Sequence, residues 1–181
     1  MLFNLNLLFM KKLTVYILFS LFLISCQNTE RSVGFVTGLD GNEYKYFLGT
    51  EDAIDVVKKF DSLSATKNYD EYSTIFADSA SFTYGSGEKN DLSQFIELNK
   101  RRDSILIASN ATMKWDLTYA FSVDIAPNIG GEYVNALYNV SYEDGENDGK
   151  FNANVWFFVQ DGKIINLNQY NQSVIEEETD N

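Results

Sequence analysis

The 181-residue sequence contains no histidine, one cysteine and one proline. Without imidazole the chain has no Ser-His-Asp or Cys-His nucleophile system, no histidine acid-base catalyst and no histidine-ligated zinc or iron site. The lone cysteine, Cys26, leaves no second thiol for an internal disulfide, so an exported life would bring the fold no covalent staple. Positive charge is also scarce: 14 lysines and arginines against 26 acids give a formal net charge of −12. Such a body repels phosphate polymers and anionic lipid headgroups, so no nucleic acid partner is expected. The acidity would suit a cationic ligand, but a solvated surface that keeps the protein soluble is the simpler account.

What is present begins with an address. From Met10 the chain reads "MKKLTVYILFSLFLISC", a basic stretch (Lys11, Lys12), an apolar run from Leu13 to Leu23, and small Ser25 before Cys26. This is secretory signal architecture, and it is short for a transmembrane helix, which needs about 20 apolar residues. Leu23-Ile24-Ser25-Cys26 resembles the bacterial lipobox. The resemblance implies cleavage before Cys26 and acylation of its thiol, the alternative being an unpaired thiol inside an ordinary signal peptide or anchor helix. Two or three acyl chains exceed what stable anchoring requires. The expected partner is therefore a membrane held through the lipid anchor, and the expected location is the outer membrane, periplasmic side or cell surface. The uncharged "MLFNLNLLF" before Met10 is unlike a signal n-region and points to Met10 as the true start.

The chain divides into a signal peptide (1–25), a lipidated cysteine and tether (26–49), one domain (50–172) and an acidic tail (173–181). In the tether, Asp40-Gly41 offers a hairpin turn between "GFVTG" and "EYKYFL". Thr50 reads as an N-cap, followed by Ala53, Val56, Val57, Phe60 and Leu63 or Ser64 at helical spacing. "NYDEYSTIFAD" reads as a shorter helix, "SASFTYG" as a strand, and Asp91 to about Leu106 as a third helix. Every odd position from Met113 to Ile125 is apolar or aromatic, which predicts one long strand with a single buried face. Pro127 closes it. Three further strands, "EYVNALYNVSYE", "KFNANVWFFVQ" and "KIINLNQY", follow with hairpin turns between them. Helices followed by an antiparallel meander predict an α+β class.

"TIFADSASFTYG", "YNVSYED" and "WFFVQDGKIINLNQY", in this order, resemble the helix-to-strand turn, middle strand and last hairpin of the nuclear transport factor 2-like, or SnoaL-like, superfamily. The resemblance implies a cone-shaped, cystatin-like fold: three N-terminal helices on a strongly bent antiparallel sheet, a pocket on the concave face, and pairing of copies through the convex one. It also implies a range of roles, since isomerases, cyclases, dehydratases and binding modules share the fold. In the steroid isomerase branch a tyrosine and a protonated aspartic acid form the oxyanion hole and another aspartate is the base. Their positions fall on Phe60, on Val155 (or Asn154 if the register slips by one) and on Tyr84, so all three roles are vacant.

The same register turns Trp115, Tyr119, Tyr138, Tyr142, Val155, Gln169 and Asn171 inward with Phe60 and Tyr84, a lining suited to apolar or polyhydroxylated ligands and poor at proton transfer. Simple core packing is the competing account of these aromatics. Asn154, Trp156 and Phe158 face the other way and form the expected homodimer interface, unless residues 33 to 48 cover them. "DGENDG" begins like a calcium loop, but Val155 stands where the bidentate glutamate belongs, so it reads as a turn. Lys100, Arg101 and Arg102 read as cations complementing a helix C-terminus rather than an anion clasp. No catalytic residue, metal or cofactor is expected. The expected function is a lipid-anchored small-molecule-binding or scaffold domain. The alternatives are a SnoaL-like cyclase, isomerase or dehydratase acting on a carbonyl or polyketide-like substrate, and a structural envelope lipoprotein with a filled core.

Overall fold

The computed structural model describes residues 32–125, 130–146 and 148–174. Cys26 and the signal segment, Pro127 and most of the acidic tail lie outside them. The elements in chain order are β1 (Gly34–Thr37), β2 (Glu43–Leu48), α1 (Glu51–Ala65), a 3-10 turn (Tyr69–Thr74), β3 (Phe76–Tyr84), β4 (Lys89–Asp91), α2 (Leu92–Ala108), β5 (Thr112–Ile125), β6 (Glu132–Glu143), β7 (Asp148–Gln160) and β8 (Lys163–Ser173). One curled, unclosed sheet runs β1-β2-β5-β6-β7-β8-β3-β4. It is mixed: β3 lies parallel to β8 while the other pairs are antiparallel.

α1 starts after the cap that its sequence places, and α2 starts at Leu92, with Asp91, read as its first residue, serving as cap. Thr50 accepts a hydrogen bond from the Ala53 N–H, and Asp91 forms a capping box with Gln94. The shorter helix expected between α1 and β3 is there as a short 3-10 helix, Tyr69–Thr74, and it ends before Phe76, where β3 begins. The hairpin β1-β2 extends the sheet by pairing Tyr46, Phe47 and Leu48 with Val123, Asp124 and Ile125 at the edge of β5. It therefore lengthens the sheet instead of lying across Trp156 and Phe158.

The core sits between the helices and the inner face of the sheet. Phe60, Tyr72, Phe76, Phe82, Phe95 and Phe157 form its aromatic centre, with Phe82 and Phe95 stacked at 4.0 Å. Such pairs contribute about 0.5–1.5 kcal/mol each beyond their area burial. Alternation in β7 follows the sequence: Ala153, Val155, Phe157 and Val159 are buried, while Asn154, Trp156 and Phe158 are half-buried on the outer face.

β5 departs from the strict alternation expected of it. Leu117 pairs with Tyr138 and Tyr119 with Leu137, so Thr118 is an extra residue in the ladder, a β-bulge. Met113, Trp115 and Leu117 face inward before it, and Ala120 and Ser122 face inward after it. Tyr119 and Phe121 are consequently turned out and are 43% and 44% exposed.

Candidate functional site

A cleft of about 720 Å³ opens between α1, α2 and the inner face of the sheet, within the roughly 300–1,000 Å³ usual for small-molecule sites. Seven of the nine residues expected in it are there: Phe60 from α1, Tyr84 from β3, Trp115 from β5, Tyr138 from β6, Val155 from β7, and Gln169 and Asn171 from β8. Two are not. Tyr119 is carried to the outer face by the Thr118 bulge. Tyr142 stands at the far end of β6, opposite Gly149, and donates to Asp144 Oδ2 at 3.1 Å beside the β6-β7 turn.

The cleft also holds charged groups that the apolar periodicity passes over. Asp61 lies four residues after buried Val57, and Asp103 four after Asn99 and eight after Phe95, so both occupy the inward stripe of their helices. A carboxylate at an apolar-stripe position was the signal that could have found them. Asp103, only 8% exposed, accepts a hydrogen bond from the Tyr69 hydroxyl and lies 3.8 Å from Lys67 Nζ and 3.5 Å from Arg102. Arg102 therefore turns into the cleft, and Lys100 pairs with Asp70 at 3.2 Å. Since α2 runs on to Ala108, no basic residue occupies its last turn, and the cations do not complement its dipole as expected.

Asp61 behaves differently. It makes no side-chain hydrogen bond or ion pair among the described residues, and burial, then the Asp116 carboxylate, push its pKa above the usual carboxyl range. Beside it the Tyr138 phenol is also pushed up, by burial first and by Asp61 second. Burial, with Glu88 adding, raises Tyr84, and burial takes Tyr72 to about 12 against the opposing Ser64 hydrogen bond. These phenols are protonated near neutrality.

Three buried polar atoms, all on residues lining the cleft, have no hydrogen-bond partner among the described residues: Tyr138 Oη, Trp115 Nε1 and Arg102 Nε. Leaving such a group unsatisfied costs about 1–3 kcal/mol. Trp115 is wedged edge-to-face between Tyr138 at 5.8 Å and Phe151 at 5.9 Å, so its ring is held firmly while its N–H is not.

On the outer face, ring contacts run without a break through Tyr119, Phe121, Trp156, Tyr133 and Phe158. Asn154 has an intramolecular partner there: it accepts from Asn135 Nδ2 at 2.9 Å, and Asn135 is buried between Phe121 and Trp156. In the β6-β7 turn the Glu146 N–H donates to Asp144 Oδ1 at 3.0 Å.

No model of a protein family matches the chain, and no curated protein does. Solved structures do. An epoxide hydrolase from M. tuberculosis of the LEH-like kind superposes with a TM-score of 0.53 at 16% identity, over 68% of this chain and 84% of that one. A candidate ketosteroid isomerase from Kribbella flavida gives 0.53 at 12% identity, over 72% and 84%. An uncharacterised protein with a cystatin-like fold from Caulobacter vibrioides gives 0.52 at 14%, over 68% and 89%. The chain thus has a cystatin-like α+β fold.

Proposed function

We propose that this domain binds a small molecule in the cleft between α1, α2 and the sheet, and that it does so outside the cytoplasm on a lipid anchor at Cys26. The observation that carries the binding reading is the open cleft of about 720 Å³, lined by aromatic and apolar side chains with a few polar groups such as Asp61, Gln169 and Asn171 among them. The open cleft speaks for binding over a filled structural core. The anchor rests on the lipobox-like "LISC" and the preceding apolar run. Native mass spectrometry of the freshly purified full chain tests the reading. A retained adduct is expected, lost in Gln169→Trp, which fills the cleft; an adduct insensitive to that change would refute it.

A second reading, an enzyme, is favoured by Asp61, a carboxyl of raised pKa beside the protonated Tyr138 phenol. Proteins described as an epoxide hydrolase and a ketosteroid isomerase share the fold, but Phe60, Tyr84 and Val155 leave the steroid isomerase roles unfilled. Turnover of an epoxide or an unsaturated ketone, abolished in Asp61→Asn, would favour this reading over binding alone. The outer aromatic run, with Trp156 and Phe158 in it, supports pairing with a second copy of the chain.

A further inference from the structure

We infer that the β1-β2 hairpin is a membrane foot: through Val33, Phe35 and Leu39 it rests on the leaflet that holds the acyl chains of Cys26, so the domain docks on the lipid surface instead of swinging from its tether. Docking of this kind rests on the anchor proposed above and adds a second contact to it.

Three observations meet in the hairpin. The first is apolar exposure: Phe35 and Val33 are 62% and 51% exposed, and Leu39 in the turn is fully so. Val33 is held in place by the bond that its N–H donates to the Tyr46 carbonyl at 2.8 Å, and, two residues from Phe35, it shares a side of the strand with it. The second is which side that is. Phe35 pairs with Lys45, two residues before Phe47, and Phe47 pairs with Asp124, which follows Ala120 and Ser122 on the inward side of β5. Val33 and Phe35 therefore turn away from the outer aromatic run, and a second copy seated on that run leaves them open.

The third is chain length. Only residues 27–31 separate Cys26 from Ser32, and an extended chain spans at most about 3.3–3.6 Å per residue, so Ser32 stands no more than about 20 Å from the acylated position. Those five residues, "QNTER", are polar and supply no apolar cover of their own. A tether this short makes the second contact intramolecular, so an apolar contact too weak to recruit a free protein is enough. Charge does not supply it: residues 33–48 carry Asp40 and Glu43 against Lys45, on a chain of net charge −12, and anionic headgroups would repel them. The hairpin is held instead by apolar side chains entering the boundary between headgroups and acyl chains. Docking is thus expected on uncharged leaflets and should survive high salt.

Cys26 is the only cysteine in the chain, and acylation consumes its thiol, so a cysteine introduced elsewhere in the acylated full chain is the single free one. Thr37→Cys, on the Phe35 side of the hairpin, is compared with Ser86→Cys, in the β3-β4 turn at the opposite edge of the sheet. Both are labelled with bimane in phosphatidylcholine vesicles that carry a nitroxide just below the headgroups. The Thr37 probe should be quenched and the Ser86 probe not, and Phe35→Glu or Leu39→Glu should remove the quenching, because a charge resists entry into an apolar layer. Quenching unchanged by both substitutions would mean that the tether alone brings Thr37 to the lipid, and would overturn the docking. Acylated protein with the Thr37 probe unquenched would overturn it as well and leave the anchor standing; a disulfide between two copies at that position would assign the patch to pairing instead. Failure to acylate, read by fatty-acid labelling, would overturn the anchor and the docking together.

Discussion

Replacing Tyr138 by phenylalanine removes one oxygen that is buried and has no partner among the described residues. The same replacement at Tyr69, also a buried side chain, removes an oxygen bonded to the Asp103 carboxylate. The chemical change is identical and the expected effects have opposite signs. Deleting an unsatisfied buried hydroxyl relieves a cost of about 1–3 kcal/mol, so Tyr138→Phe should stabilise the ligand-free protein by about 1 kcal/mol or more. For a chain of this size that raises Tm by about 2–4 °C per kcal/mol. Deleting a hydrogen bond to a charged acceptor should make Tyr69→Phe less stable by about 1.5–3 kcal/mol. Urea unfolding of both variants beside the parent, with unchanged m, measures the difference. If Tyr138→Phe is destabilised as much as Tyr69→Phe, the Tyr138 hydroxyl has a partner in the free protein.

Three further outcomes follow from other parts of the molecule. Because the Asp61 pKa is raised in the folded state above the ordinary 3.8, the unfolded chain ionises first as pH rises, and native stability falls through that window. Asp61→Asn should therefore be more stable than the parent at pH 7, with the gain vanishing below about pH 3.8; a constant difference across pH in urea titrations would contradict this. A full chain that sediments as a dimer should become monomeric on Trp156→Glu, since a charge buried without a partner in an apolar interface costs several kcal/mol, and a monomeric parent would remove the interface. Metabolic labelling with an alkyne fatty acid should mark the parent and not Cys26→Ala; equal labelling of the two would end the lipoprotein reading.

The inner face of β6 and β7 was legible because its positions recur at every second residue, Tyr138 and Val155 among them, whereas in β8 a register shift at Ile165 interrupts the alternation before Leu167. The cap Thr50 was legible because it is a side-chain acceptor followed by helical spacing. The parallel pairing of β3 with β8 was not. It joins segments about 85 residues apart in sequence, and nothing local in "FADSASFTY" states the direction of its neighbour. Asp61, Arg102 and Asp103 were missed for another reason. Periodicity weighs apolar positions, and a charged residue inside the stripe reads as noise until its partners are seen across space.

The bulge at Thr118 shows why one extra residue matters to both faces. In a strand the side-chain period is two, so a single insertion exchanges every later residue between faces. Before it, β5 gives Trp115 to the cleft; after it, the same strand gives Tyr119 and Phe121 to the outer aromatic run. Without the bulge those two rings would crowd the inner face, where Ala136 and Val134 are fully buried. Ser122 would then point outward, losing its 2.6 Å hydrogen bond to the Glu132 carboxylate that also receives the Thr50 N–H at the cap of α1. The bulge thus couples three things: the room left in the cleft, the aromatic run on the outer face, and the tie that seats α1 on the sheet. A single exposed threonine, invisible to any pattern of hydrophobicity, allots the aromatic residues of β5 between the cleft and the outer face of the sheet.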